Sequence, residues 1–194
     1  MKVLGFLSAA LGFLTTLYTG ILIGIIKAVP FWHSPALPLL FLSSGASTGV
    51  TSMLFINVVQ GLRRPLEERG KFLDYCHQLS LWDSILISVE LLIMGIYLYI
   101  SYIGPDEAYE SVRMLIAGDL KLLFIGGVIL VGLAIPLLLE YLHITRGKEA
   151  EAEAGDLIPP CVLPLIAATL VIIGGLILRY TILAAGIITG ILPA

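Results

Sequence analysis

Long apolar stretches alternate with short polar ones along the whole chain. The apolar stretches cover about 4–26, 35–59, 79–103, 120–143 and 160–190. A helix of about 20 apolar residues crosses a hydrocarbon core of ~30 Å. The pattern therefore predicts an all-α, polytopic transmembrane helix bundle of about five spans, forming a single transmembrane domain over 1–194. Between the spans it predicts a turn at 27–34, a charged loop at 61–78 and an acidic loop holding Asp106, Glu107 and Glu110. A polar, Glu- and Ala-rich loop follows at 144–156. The last apolar stretch exceeds thirty residues and is interrupted by Arg179. One long tilted helix ending near Gly190 is expected, with a re-entrant tail as the alternative.

Composition strengthens this reading. Of 194 residues, 58% are hydrophobic and only 13% charged, against roughly 25% charged in soluble domains. A net charge of −3 argues against a nucleic-acid footprint or a basic surface anchor. Cys76 and Cys161 have no neighbouring Cys or His at ligand spacing, so no zinc site, iron–sulfur site or disulfide framework is expected. A cleaved signal peptide is not expected, because the apolar run from Leu4 continues to Ile26.

Loop charges set the expected orientation. Lys2, Arg63, Arg64, Arg69, Lys71, Arg146 and Lys148 fall on one side, and Lys27 and Arg113 on the other. That places the N-terminus in the cytoplasm and the C-terminus outside, in a multi-pass protein of the cell (inner) membrane. Phe31 and Trp32 are expected in an outer aromatic belt, and Trp82 at the inner boundary.

Small residues let helices approach closely in lipid. Thr16, Gly20 and Gly24 have this spacing in the first span. Gly45 and Gly49, flanked by Ser44, Thr48 and Ser52, have it in the second. Helix packing is the plain reading, and a hydroxyl-lined cavity is compatible with it.

Ionisable groups inside spans cost a few kcal/mol on insertion scales, which makes each a functional hypothesis. Glu90 lies near the middle of the third span, with Asp83 and Tyr97 seven residues to either side. Two helical turns put all three on one face. That face is either a proton-transfer stripe (Glu90, Asp83) or the setting of one internal hydrogen-bonded Glu. Glu140, near the end of the fourth span, is expected in an ion pair with Arg146 or in interfacial water. Arg179 falls toward the outer end of the last span, beside Tyr180. It either snorkels to headgroups or belongs with Tyr18 and His33, which the topology places at similar depth. An aromatic ring, an imidazole and a cation there suit a quinone headgroup, whose carbonyls need donors and whose reduction needs protons. His33 and His77 fall in loops and His143 at a helix end, so no haem is expected. No phosphate-binding, dinucleotide or zinc-protease motif occurs, and no residue is assigned a catalytic or metal-binding role.

The stretch Tyr18-Thr19-Gly20, then Val29-Pro30-Phe31-Trp32-His33-Ser34-Pro35, then Leu37-Pro38-Leu39-Leu40-Phe41-Leu42-Ser43-Ser44-Gly45 resembles the polysulfide reductase NrfD family. The span holding Glu90 and the segment Gly174-Gly175…Arg179-Tyr180 are also similar to later family helices. The resemblance implies the membrane anchor subunit of a respiratory oxidoreductase complex, one that is not a catalyst by itself. Such a subunit carries no haem or metal and exchanges electrons between menaquinone or ubiquinone and a ferredoxin-like iron–sulfur partner. That partner serves a molybdopterin or multihaem catalytic subunit. Family members usually have eight or more spans, and the matched motifs belong to their middle and later helices. The chain thus fits a truncated relative, half of a split subunit or a fragment, and a further membrane subunit is a possible partner. A non-redox small carrier or an assembly scaffold would explain Glu90 and the Gly/Ser faces equally well.

Overall fold

A computed structural model describes residues 2–61, 69–153 and 162–190. Arg63, Arg64, Pro160 and Cys161 lie outside the described residues. Within them the protein is helical, with no strand. Helix α1 (Lys2–Gly24) and α2 (Ala36–Gly61) are joined by a turn whose Pro30 and Pro35 prevent the helix from continuing. Then come α3 (Arg69–Ile103) and a short α4 (Asp106–Ile116). A π-wound segment (Leu122–Ala134) runs directly into α5 (Ile135–Glu153), and α6 (Val162–Gly190) closes the order.

Among the described residues, four helices are long and apolar enough to cross a membrane: Ala36–Gln60, Asp74–Ile103, Leu122–Thr145 and Leu163–Thr189. Ala10–Gly24 is a shorter apolar helix. The polytopic bundle is therefore present, and the described residues of the last apolar stretch form a single helix, α6.

Helix ends differ from the membrane boundaries that hydropathy marks. Helix α3 begins at Arg69, inside the stretch read as a charged loop, and α5 continues to Glu153 through the stretch read as a polar loop. The physical reason is that Lys, Glu and Ala are strong helix formers. Polarity shows where the chain leaves lipid, not where the helix stops. As a result His77 lies on α3 and His143 on α5, not in a loop and at a helix end, with their rings 6.1 Å apart.

The acidic loop is also a helix. Pro105 stands at the N-cap of α4, Asp106 and Glu107 occupy its first turn and Arg113 its last. These charges complement the helix dipole. Ala108, Val112 and Leu115 are spaced to bury one face, and Ser111 hydrogen-bonds Thr189 of α6.

The π segment has a local cause. Pro136 has no N–H and its ring crowds the preceding turn, and Gly126, Gly127 and Gly132 permit unusual winding. The amide of Ile135 donates to the carbonyl of Leu130, five residues back.

Helix α2 is central and packs against α1, α3 and α6, while the π segment crosses α6. Small residues make these approaches possible. A Cβ at Gly20 would meet Pro38, one at Gly45 would overlap Thr16, and one at Gly174 would overlap the backbone of Gly132. Gly49 meets nothing within 4 Å.

Phe31 and Trp32 depart from the aromatic-belt expectation. They are 1% and 6% exposed, plugging the bundle instead of facing lipid. The turn before α2 folds inward because its polar atoms find partners there. The Trp32 Nε1 donates to the Ile182 carbonyl at 3.0 Å, and the Tyr97 hydroxyl donates to the Phe31 carbonyl at 2.9 Å. Trp82, in contrast, is exposed. Trp32→Phe removes the donor and leaves a gap beside Gly186. Thermal unfolding in detergent should show a loss of about 1–2 kcal/mol.

Candidate functional site

One face of α3 carries the buried polar groups. Cys76, Ser80, Asp83, Ile87, Glu90, Met94, Tyr97 and Ser101 recur at alternating spacings of three and four and are all buried. This is the stripe expected from Asp83, Glu90 and Tyr97. It points into the bundle because the opposite positions, such as Leu92 and Tyr99, are large apolar or aromatic groups free to face lipid. Over the seven residues from Asp83 to Glu90 the helix rises ~10 Å, so the stripe holds two separate polar levels.

The upper level is built on Glu90, 3% exposed. Its carboxyl is within hydrogen-bonding reach of Ser44 on α2, and the charge of Arg179 on α6 acts on it. Arg179 is half-buried. Its Nη1 donates to the Gly175 carbonyl at 3.0 Å, and its guanidinium carbon lies 6.0 Å from the Phe41 ring centroid, within cation–π range. Gly175 is a requirement of this level. A Cβ there would stand 3.1 Å from Thr48 Oγ1, 3.4 Å from Arg179 Nη1 and 3.6 Å from Ser44 Oγ. A cavity of about 10 Å³ lies between Ser44, Glu90, Gly174 and Gly175, about enough for one water. Arg179 thus turns toward Phe41 of α2.

The lower level is built on Asp83 and Glu140, both 0% exposed. The Ser47 hydroxyl donates to Asp83 Oδ1 at 2.6 Å, and the Ser84 hydroxyl donates to Glu140 Oε2 at 2.8 Å. Glu140 is therefore neither in interfacial water nor at the bundle surface. It belongs to the buried face of the fourth span, with Gly132, Pro136 and His143 at spacings of three and four. That spacing was available in the sequence as a signal. It was hidden because Glu140 lies near the polar stretch that follows it.

The other candidates lie apart. Tyr18 and Tyr180 are 62% and 61% exposed. His33 is exposed, with its Nδ1 3.0 Å from the Gly24 carbonyl oxygen, and it lines a cleft of about 270 Å³ with Ile21, Gly24 and Pro38. Among the described residues no hydrogen bond or ring contact joins Tyr18, His33 or Tyr180 to Arg179. Tyr18 points away because the face of α1 that meets α2 is the Thr16–Gly20–Gly24 face, two residues and about half a turn from it. What the structure brings together is Arg179, Glu90, Ser44 and Thr48, and separately Asp83, Glu140, Ser47 and Ser84.

Comparison with known proteins agrees with this architecture. The family model described as "Polysulphide reductase, NrfD" matches residues 1–191. The protein is 31% identical over 173 residues to the C subunit of polysulfide reductase from Wolinella succinogenes, covering 87% of this chain and 49% of that subunit. It is 31% identical over 174 residues to protein NrfD of Escherichia coli, covering 89% and 49%. A protein NrfD homolog of Haemophilus influenzae is 26% identical over 136 residues, covering 70% and 39%. The chain thus spans about half the length of the first two curated relatives. No solved structure matches.

Proposed function

The chain belongs to the polysulphide reductase NrfD family, and on that premise we propose that it is a membrane anchor subunit of a respiratory oxidoreductase complex. In this reading it exchanges electrons between membrane quinone or quinol and an iron–sulfur partner that serves a molybdopterin or multihaem subunit. The observation that carries it is the buried Glu90–Ser44–Arg179 constellation. A buried carboxyl, a hydroxyl and a half-buried guanidinium converge from three helices within the bundle. Buried ionisable groups are costly, and a functional role accounts for their presence.

Oxidation of a quinol releases two electrons and two protons. The electrons pass to the iron–sulfur partner, and this chain's part is to bind the headgroup and accept protons. Arg179 and Ser44 offer donors to a headgroup oxygen. Glu90 takes a proton, and Asp83, two turns away on the same face, is the next acceptor. Tyr18, His33 and Tyr180 supply contacts from the exposed surfaces of α1, the turn after it and α6, where a further membrane subunit would close the pocket. The N-terminus lies on the cytoplasmic side of the inner membrane in this scheme.

The test is affinity purification from mild detergent. The expected result is co-elution of an iron–sulfur subunit, with menaquinone or ubiquinone in the lipid extract. Purification with neither would overturn the reading and favour a carrier or scaffold.

A further inference from the structure

The hydrogen-bond pattern of the lower polar level is incomplete in a specific way. Asp83 and Glu140 each use one oxygen to accept from a serine, Ser47 and Ser84 respectively. The remaining oxygens, Asp83 Oδ2 and Glu140 Oε1, are buried and have no donor. Yet the two carboxyls are neighbours across α3 and α5, because Ser84, which holds Glu140 at 2.8 Å, directly follows Asp83 in α3. Two ionised carboxylates offer only acceptors, and two uncompensated charges side by side in an apolar interior are strongly unfavourable. A carboxylic acid donating to a carboxylate removes both problems with one proton.

We propose that Asp83 and Glu140 share a single proton, forming an acid–carboxylate pair that stores a proton inside the bundle. Moving the proton breaks one O–H bond as the other forms, and the pair keeps one negative charge throughout. No electron moves and no co-reactant is needed. The surroundings suit a relay. Ser80, one turn from Asp83 toward the Cys76 end of α3, is fully buried and its hydroxyl is unpartnered. His143 of α5 lies within one turn of Glu140 and faces His77 of α3. In the other direction along α3 stands Glu90, on which Arg179 of α6 acts. From α2 the group facing the pair is Ser47.

The inference does not depend on quinone chemistry, so it can fail while the proposed function stands, and the reverse. The experiment is infrared spectroscopy of the full chain in lipid nanodiscs at neutral pH, in H₂O and D₂O. Wild-type protein is expected to show a carboxylic-acid C=O band that shifts in D₂O. The double variant Asp83→Asn with Glu140→Gln is expected to lose one such band and one carboxylate band. Asn and Gln can still hydrogen-bond each other and the two serines, which favours retention of the fold. Ser84→Ala keeps both carboxyls and is expected to move the acid band without removing it. Should the double variant not fold, this single variant decides, and an unmoved band overturns the proposal. An unchanged acid band in the folded double variant also overturns it. So does a wild-type band that disappears on replacing choline with sodium in the buffer, which would identify a cation site.

Discussion

Gly174→Ala is expected to destabilise the bundle more than any other single-methyl addition to the chain. At this crossing two backbones touch. The new Cβ would overlap Gly132 Cα, with the nitrogen and carbonyl carbon of the same residue 3.2 Å away. A flexible side chain can swing aside, but helix backbone cannot, so α6 and the π segment must separate. Overpacking of this kind costs about 1–3 kcal/mol and occasionally more, and bulkier Gly174→Val should exceed it. Thermal unfolding in detergent, followed by circular dichroism, measures the loss. Gly49→Ala is the control. Nothing lies within 4 Å of its added Cβ, and alanine is the better helix former by roughly 1 kcal/mol. It should leave stability unchanged or raise it. Equal losses from Gly174→Ala and Gly49→Ala would refute the crossing.

The second large effect is expected at Glu90. Glu90→Gln keeps the shape and can still accept from Ser44, but it cannot take up a proton. If Glu90 is the proton acceptor of quinol oxidation, turnover of the purified complex should fall on the order of 10²-fold or more, the range for a positioned acid or base. The fold should survive. Arg179→Ala should be similarly damaging for a different reason: it removes the guanidinium beside the carboxyl and its contact with Phe41. The two differ in one readout. Loss of the headgroup donor at Arg179 should raise the quinol KM, whereas Glu90→Gln should lower kcat. Full turnover in both variants would remove these residues from the site.

Much of this organisation was legible in one dimension. The apolar runs disclosed the spans, because the length needed to cross a bilayer is a property of consecutive residues. The face shared by Asp83, Glu90 and Tyr97 followed from helical geometry alone, and the small-residue spacings of the first two spans anticipated close helix packing, which the structure realises between α1 and α2 at Thr16, Gly20 and Gly45. The Tyr18, Trp32 and Pro38 region also carried the family resemblance.

Other features depend on which helix lies beside which, and no local pattern contains that. Trp32 has the composition of a belt residue, yet it is buried because the Ile182 carbonyl, 150 positions away, accepts its N–H. Arg179 turns inward because Gly175, Ser44 and Thr48 leave room and Phe41 offers a ring. Glu140 looks like a boundary residue until α3 brings Asp83, Ser84 and α5 together. The sequence by itself determined the apolar spans and the polar face of the third one, since these follow from hydrophobic length and a 3.6-residue period. Only the tertiary structure decided which polar groups meet, since a buried charge is tolerated where another helix supplies its partner.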